Sequence, residues 1–353
     1  TLPSNTALTV GPDIEYVKVR TVAGDRSVSV ILAKALVAKW MGGKNQPPVE
    51  REYGPWEGSA LQGITYEQLL PFGILPETGA AFRVITGDFV TTEDGTGVVH
   101  TAPSFGADDM RVARQHGIGS LTLVDRRGRF LPEVQDGVFL YGNEYVKEAY
   151  LKNDEKEAEL AVQKEKLSGF IRDTSKLSYL SVDDRIVLKL QNEGKLFKKE
   201  KYVHAYPHCW RTDKPVLYYP LDSWFIKASA MKDRMYALNQ TINWKPAATG
   251  EGRFGKWLEN LQDWNLSRSR YWGVPLPIWR TEDGAEEICI GSAAQLAQEI
   301  EKTNKRLGLQ QQVPEDFHRP YIDEVVLVSE SGKPMKRETD LIDVWFDSGS
   351  MPF

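Results

Sequence analysis

The chain has 353 residues, of which 41% are hydrophobic and 26% charged, and its formal net charge is -5. This composition is typical of a folded globular protein rather than a disordered or fibrous one, and the length favours two domains over one. The negative charge excludes a protein that coats nucleic acid non-specifically, because phosphate neutralisation requires a broad excess of Lys and Arg. It still permits a site for one RNA end.

Cysteine content and hydropathy indicate the compartment. Cys209 and Cys289 lie far apart in the sequence, so neither a disulfide framework nor a paired-cysteine zinc site is encoded. No apolar run is long enough to cross a bilayer, and the first residues lack the basic and apolar regions of a signal peptide. We therefore expect a cytoplasmic protein with no membrane partner.

The first part of the chain, up to about residue 142, alternates short β-prone runs with Gly, Pro and Asp. This pattern predicts a compact, strand-rich body with a few helices. The predicted strands cover residues 14–22, 27–32, 81–85, 97–100 and 121–124.

Helices are predicted further along the chain. Apolar positions among many Lys and Glu residues indicate one or two exposed amphipathic helices within residues 143–167. A second helical pattern runs from Val182 to Gly194, where the glycine can end the helix.

The amino-acid composition changes near His204, where a segment rich in Trp and Tyr begins. This change predicts a domain boundary. Within the second part, residues 250–255 match the glycine pattern of a dinucleotide-binding turn. The preceding residues 243–246 make a poor central strand, so the glycines are interpreted as a loop.

The most informative segment runs from Gly95 to Asp109. A glycine turn leads into a short strand that ends at His100, and a Pro/Gly loop then leads into a helix predicted for residues 107–116. His100, Asp108 and Asp109 are thereby brought to one end of the fold. Two interpretations remain open: the carboxylates cap the helix and the histidine ends a strand, or a carboxylate binds a cationic amine beside the imidazole.

Two segments, residues 1–8 (Thr-Leu-Pro-Ser-Asn-Thr-Ala-Leu) and 95–109, resemble the paired signature of the editing domain of isoleucyl-tRNA synthetases. Three later segments resemble the catalytic-domain sequence that follows editing in the same family. They are residues 208–215 (His-Cys-Trp-Arg-Thr-Asp-Lys-Pro), 263–273 (Asp-Trp-Asn-Leu-Ser-Arg-Ser-Arg-Tyr-Trp-Gly) and 343–349 (Asp-Val-Trp-Phe-Asp-Ser-Gly).

The resemblance implies an α+β protein: a strand-rich editing domain over residues 1–204, with a β-barrel-like core and helices, followed over 205–353 by an incomplete α/β class I catalytic portion. It further implies hydrolysis of valyl-tRNA(Ile), as one part of an enzyme that joins isoleucine to tRNA with ATP. The implied partner is the valine-charged acceptor end of tRNA(Ile). No protein partner is implied.

The resemblance also implies roles for individual residues. Asp109 is expected to bind the α-ammonium of the substrate, and His100 to limit the size of the pocket so that isoleucine is excluded. Both are the candidate catalytic residues, and Thr1, Asn5 and Asp108 complete the expected substrate-binding set. A positioned water performs the hydrolysis, with no cofactor and no metal; ATP and Mg²⁺ belong to the parent enzyme and are not expected to bind this portion.

The chain departs from the family pattern in three places. A threonine-rich strand precedes the Leu-Pro-Ser-Asn run in the family, and this chain begins inside that motif, so we expect its hydrolysis to be weak or absent. Neither residues 116–119 nor residues 333–337 match the two nucleotide-binding signatures of class I synthetases. Thr212 stands where some relatives have a zinc-binding cysteine. The alternative function is a tRNA-binding or structural portion without hydrolytic activity.

Overall fold

A computed structural model describes residues 1–77, 79–201 and 203–352. The chain divides into two compact units, Thr1–Pro220 and a second that runs from Leu221 to the end of the chain. Both units contain helices and strands, which confirms the expected mixture of α and β structure. Within the described ranges, no helix is both long enough and apolar enough to cross a membrane.

The first unit contains two three-stranded sheets. In one, β1 lies between β5, to which it is parallel, and β6, to which it is antiparallel. The other is antiparallel, with β2 between β3 and β4. The strands are β1 (Ala7–Val10), β2 (Glu15–Ala23), β3 (Arg26–Ala33), β4 (Arg51–Glu57), β5 (Arg83–Thr86) and β6 (Val98–Thr101).

Four of the five predicted strands are confirmed, and the strand predicted for residues 121–124 is wrong. That segment forms only an isolated bridge between Val124 and Phe130. Leu121 and Leu123 are buried in the largest apolar cluster of the unit. Their hydrophobicity therefore reflects burial in an irregular segment. A short apolar run in the sequence is compatible with either such a segment or a strand.

The first unit also contains four α-helices and six 3₁₀ turns within the described residues. The α-helices are α1 (Val37–Trp40), α2 (Ala107–Gln115), α3 (Asn153–Lys166) and α4 (Val182–Asn192). Single 3₁₀ turns occupy Leu2–Ser4, Lys34–Leu36, Gly58–Leu61, Pro103–Phe105, Glu148–Tyr150 and Thr174–Lys176. The helices predicted over 107–116 and 182–194 are confirmed, and Ser181 caps α4 by accepting a hydrogen bond from the backbone N–H of Asp184 at 3.2 Å.

A buried ion pair anchors α4. Arg185 and Glu144 are almost completely buried, with side-chain exposures of 0% and 4%, and their charged groups form a close ion pair. Arg185 Nη1 also donates to the carbonyl of Phe139 at 2.5 Å, and Glu144 Oε1 accepts from the N–H of Tyr141 at 2.8 Å. The pair thus joins the helix to the loop over residues 139–144.

Residues 205–220 pack with the first unit. Tyr150 donates its hydroxyl hydrogen to the carbonyl of Pro215 at 2.8 Å, and Leu217 and Tyr219 pack against the largest apolar cluster. The division between compact units therefore falls at residue 220, later than the predicted boundary at 204. The assignment of an editing domain to 1–204 and of a catalytic portion to 205–353 stays a prediction.

The second unit is built around a four-stranded sheet of order β11-β10-β13-β12, against which α7 packs. All strand pairs in the described part of this unit are antiparallel. The strands are β7 (Phe225–Ile226), β8 (Trp264–Asn265), β9 (Ser267–Arg268), β10 (Ile278–Thr281), β11 (Glu287–Cys289), β12 (Leu327–Val328), β13 (Pro334–Arg337) and β14 (Leu341–Ile342).

The helices of this unit are α5 (Lys232–Asn239), α6 (Gly255–Glu259), α7 (Ala293–Leu307) and α8 (Val344–Ser350). Two 3₁₀ turns cover Ala228–Met231 and Tyr321–Glu324. The glycine pattern at 250–255, predicted as a loop, instead lies in a helical segment, Thr249–Phe254, that is kinked at Gly252 and leads directly into α6. Asn239 supports it by donating to the carbonyl of Gly250 at 3.0 Å.

Candidate functional site

The candidate site lies at the end of the sheet that contains β1. In the antiparallel pairing of β1 with β6, Leu8 is opposite His100 and Ala7 is opposite Thr101. Residues 103–105 then form a 3₁₀ turn that leads into α2. Val112 and Ala113 of α2 pack against Ala7, so the first turn of α2 is held beside the end of β6.

His100 meets the first residue of the chain. Its Nε2 atom lies 3.1 Å from the hydroxyl oxygen of Thr1, while its Nδ1 atom is buried and has no hydrogen-bond partner among the described residues. Burial lowers the pKa of His100 below its ordinary value, and the nearby negative charge of Asp109 opposes this shift. The neutral imidazole is therefore favoured near pH 7, which suits a wall or a polar contact.

Asp109 is held in place from the backbone. Its Oδ2 atom accepts a hydrogen bond from the N–H of Ala102 at 2.8 Å. Within the described residues its second oxygen, Oδ1, accepts no hydrogen bond. Gly106 leaves just enough room for this carboxylate, because a Cβ at that position would lie 2.9 Å from Asp109 Cγ. The result is a positioned carboxylate with one oxygen available to a ligand.

Asp108 has a different environment. Its side chain is 68% exposed and lies 3.4 Å from Arg111, which also forms an ion pair with Asp88 at 2.6 Å. Exposed pairs of this kind contribute little to stability. The structure therefore does not join Asp108 to His100 by any contact, although the two carboxylates are adjacent in sequence.

Asn5 is buried and engaged with the protein itself. Its Nδ2 atom donates to the carbonyls of Ala7 at 2.7 Å and Thr101 at 3.3 Å, and its Oδ1 atom accepts the hydroxyl hydrogen of Tyr66 at 2.5 Å. Burial raises the pKa of Tyr66, so this hydroxyl remains a donor. Asn5 thus ties the start of β1 to the end of β6.

Two contributors to the site were missed by the sequence prediction: the Ala102 N–H and Tyr66. Tyr66 is 61 positions from Asn5, and nothing in its local sequence indicates the contact. The donor to Asp109 is a backbone group, which no residue type can signal. The Pro-Ser-Phe-Gly run after Ala102 was the available sign that the chain turns back there.

A cavity of about 120 Å³ lies beside Thr1. Its lining combines apolar side chains with one cation and one anion, and includes Thr1, Phe105, Lys147, Val182, Asp183 and Ile186. Val182, Asp183 and Ile186 belong to the first half of α4, so the buried ion pair at Arg185 helps to fix this wall. Neither His100 nor Asp109 lines this cavity.

In the second unit, two segments that carry the family resemblance meet at Asp343. This carboxylate accepts hydrogen bonds from Trp264 Nε1 at 3.1 Å and from Arg268 Nη2 at 2.5 Å. The backbone N–H of Asp343 donates to the carbonyl of Leu266 at 2.8 Å. Arg268 is therefore used in holding the unit together.

Cys209 and Thr212 lie in one turn. A hydrogen bond with the Thr212 side chain lowers the pKa of the Cys209 thiol. Among the described residues there is no group of three or more His, Cys, Asp or Glu side chains that could hold a metal ion. The expectation that the chain binds no zinc stays a prediction.

Residues 13–353 match the family model described as tRNA synthetases class I (I, L, M and V). The chain is 57% identical over 378 residues to the isoleucine–tRNA ligase of Cytophaga hutchinsonii, covering 100% of this chain and 32% of that protein. It is 48% identical over 406 residues to the ligase of Porphyromonas gingivalis (100% of this chain, 34% of the relative). It is 42% identical over 356 residues to the isoleucine–tRNA ligase of Clostridium tetani, covering 100% of this chain and 29% of that protein.

The chain thus spans about a third of the length of the curated relatives that it matches. The family model covers nearly all of the chain, including every strand of both units except β1. The chain belongs to the class I tRNA synthetase family whose members include the isoleucine, leucine, methionine and valine enzymes.

Proposed function

We propose that this chain performs post-transfer editing, the hydrolysis of valyl-tRNA(Ile), within an isoleucine–tRNA ligase. The observation that carries the proposal is the Asp109 carboxylate, which is fixed by the Ala102 N–H, keeps one oxygen available and is near enough to His100 to raise its pKa. The identity to isoleucine–tRNA ligases supports the choice of tRNA.

The need for such a site is physical. A hydrophobic pocket separates side chains that differ by one methylene only weakly, and isoleucyl-tRNA synthetases are themselves the standard case of this problem. A second, smaller pocket supplies the missing accuracy, because it admits valine and rejects isoleucine by steric overlap.

Asp109 is proposed to bind the α-ammonium group of the esterified amino acid. Oδ1 accepts a charge-assisted hydrogen bond from the ammonium, while Oδ2 stays bound to the Ala102 N–H. Every aminoacyl ester carries this ammonium group, so the contact orients the substrate without selecting its side chain.

His100 is proposed to select the side chain. Its ring is held by the hydrogen bond to Thr1 and its backbone by pairing with Leu8, so the side chain resists displacement by a larger substrate. The neutral form, favoured by burial, avoids repulsion with the bound ammonium. Valine is accepted against this wall and isoleucine is excluded.

Hydrolysis then requires a positioned water. Its oxygen attacks the ester carbonyl, the bond from the carbonyl carbon to the ribose oxygen breaks, and the ribose oxygen receives the proton. The products are free valine and tRNA with a free terminal hydroxyl. Orientation of the ester by Asp109 provides the catalytic advantage. Asp109 is a poor general base while it holds the ammonium.

The test compares Asp109→Asn with its neighbour Asp108→Asn as the matched control. We expect Asp109→Asn to abolish hydrolysis of valyl-tRNA(Ile) and to weaken binding of a non-hydrolysable valylamino-adenosine about 10- to 150-fold, because one hydrogen bond to a charged group is lost. Asp108→Asn should change neither quantity. Equal affinities of the analogue for the unmodified chain and for Asp109→Asn would refute the role of Asp109.

A second substitution examines the sieve. His100→Ala removes the wall and should allow hydrolysis of isoleucyl-tRNA(Ile) while valyl-tRNA(Ile) is still cleaved. Thr1→Ala removes only the hydrogen bond to the ring and should relax selectivity less. Continued rejection of isoleucine by His100→Ala would exclude His100 from selection.

An alternative function is tRNA binding without hydrolysis. The observation that favours it is Trp210, which is 82% exposed and has the guanidinium of Arg211 4.3 Å from its ring centroid. Exposed aromatic rings with adjacent cations can stack on unpaired bases. Saturable tRNA binding without turnover, lost on Trp210→Ala, would support this function.

A further inference from the structure

The outward face of the β3-β2-β4 sheet concentrates positive charge. On β2, Lys18 and Arg20 are exposed and alternate with the buried Val17 and Val19. Since successive side chains on a strand point to opposite faces, both cations lie on the outer face. On β4, Arg51 is paired directly with Arg20.

This arrangement is unfavourable for the isolated sheet. Like charges directly opposite each other on neighbouring strands repel. Glu50 lies 3.5 Å from Arg20, and it is the one carboxylate within ion-pair distance of Lys18, Arg20 or Arg51 in the described part of the chain. The face therefore keeps a local positive charge in a chain whose net charge is -5. An anionic partner would relieve the repulsion.

Aromatic rings lie among these cations. Tyr53 is paired with Lys18, and the guanidinium of Arg51 lies 5.0 Å from the Tyr53 ring centroid. Trp56 is 41% exposed, a large exposed apolar area for a single side chain. A groove of about 590 Å³ is lined by Lys18, Arg20, Tyr53 and Trp56, with Ser29 among the polar residues at its edge.

Cations that follow a phosphate backbone, together with aromatic rings on which bases stack, are the two elements of single-stranded nucleic-acid sites. An acidic peptide would use the cations but would leave the two aromatic faces without a planar partner. We propose that this basic–aromatic face, formed by Lys18, Arg20, Arg51, Tyr53 and Trp56, binds an unpaired segment of RNA. That this RNA is tRNA(Ile) rests on the proposed function.

The face is also connected to the candidate site. Tyr16 of β2 donates its hydroxyl hydrogen to the carbonyl of Gly97, immediately before β6, at 2.5 Å. The two sheets are thereby joined within the first unit. RNA held on the β3-β2-β4 sheet would thus be bound to the same folded unit that carries His100 and Asp109.

The test measures binding of an uncharged tRNA(Ile) transcript as a function of salt. Each cation that neutralises a phosphate of a single strand contributes about 0.7 to the slope of log affinity against log salt. Lys18→Ala/Arg51→Ala should lower the slope by about 1.4, which corresponds to roughly a tenfold loss of affinity at 0.15 M salt. The matched control, Lys302→Ala/Lys305→Ala, removes two exposed cations of α7 and should bind as the unmodified chain does.

Trp56→Leu provides an independent measurement. It should weaken RNA binding at least about fivefold, the lower end expected for one lost stacking contact, and leave the salt slope unchanged. Circular dichroism of each variant checks that the sheet is folded. Unchanged affinity and slope in Lys18→Ala/Arg51→Ala would overturn the proposal. An unchanged affinity in Trp56→Leu, with equal losses for RNA and heparin in the double variant, would overturn RNA recognition, because the face would then bind any polyanion by charge alone.

These results are separable from those on hydrolysis. Asp109→Asn should bind the uncharged transcript normally, because that RNA carries no ammonium. A chain that binds RNA through this face but never cleaves valyl-tRNA(Ile) would refute the proposed function and retain the RNA face. If the chain cleaves valyl-tRNA(Ile) and the face variants leave RNA affinity unchanged, the proposed function is retained and the RNA-binding face is refuted.

Discussion

The buried pair of Arg185 and Glu144 gives the sharpest prediction for stability. Replacing Arg185 by Met leaves the Glu144 carboxylate in a dry environment with the Tyr141 N–H as its remaining donor, and deprives the carbonyl of Phe139 of its hydrogen bond. Removing one partner of a buried ion pair typically costs about 3 to 5 kcal/mol, because an uncompensated charge remains. We expect the first unit to lose stability by that amount.

The double variant Glu144→Leu/Arg185→Met separates charge from packing. It removes both charges and keeps approximately the same volume. Its free energy of unfolding should therefore lie within about 1.5 kcal/mol of that of the unmodified chain, or exceed it. The strong non-additivity expected here is the signature of two groups in direct contact.

Hydrogen exchange of the α4 amides, followed by mass spectrometry at increasing urea, measures the stability of the first unit without contribution from the second. The same samples report whether the wall beside Thr1 loosens, because Val182 and Ile186 line that cavity. The role of the buried ion pair would be refuted if Arg185→Met changed the free energy of unfolding by less than about 1 kcal/mol. It would also be refuted if Glu144→Leu/Arg185→Met were as unstable as Arg185→Met.

Two further predictions concern the site. Gly106→Ala should displace the Asp109 carboxylate, which lies 2.9 Å from the new Cβ, and reduce hydrolysis of valyl-tRNA(Ile), while stability changes by less than about 1 kcal/mol. Gly169→Ala, which meets no atom within 4 Å, is the control, and full activity of Gly106→Ala would contradict the geometry. Because burial lowers the pKa of His100 in the folded chain, the unfolded chain binds a proton at higher pH than the folded chain does. The free energy of unfolding should therefore fall as the pH drops below about 6.5. Urea unfolding at pH 7.5 and 5.5 should show this loss in the unmodified chain and a smaller one in His100→Gln; identical losses would exclude His100 as the source.

Much of the local structure could be predicted from the sequence because its signals are local. The glycines and proline between residues 95 and 106 delimit β6 and the start of α2, and alternation of buried and exposed residues marks β2. The helix over Val182–Asn192 has both an apolar face and a Ser cap. In each case the deciding residues lie within one element.

The parts that could not be predicted depend on distant contacts. Asn5 has the same local sequence whether its amide faces a substrate or Tyr66, and only the folded chain shows the hydrogen bond. Asp108 and Asp109 are neighbours with different surroundings, because one faces the Ala102 N–H and the other Arg111. The kinked helical segment Thr249–Phe254 receives a hydrogen bond from Asn239, eleven residues before Gly250.

The central position of β1 has a consequence for the order of folding. This strand leaves the ribosome before both of its neighbours in the sheet, which begin at Arg83 and Val98. At a synthesis rate of about 5 to 20 residues per second, β1 waits roughly 5 to 20 s for β6 to emerge. The hairpin of β2 and β3 can form meanwhile. The candidate site should therefore be completed only after the β2–β3 hairpin has formed.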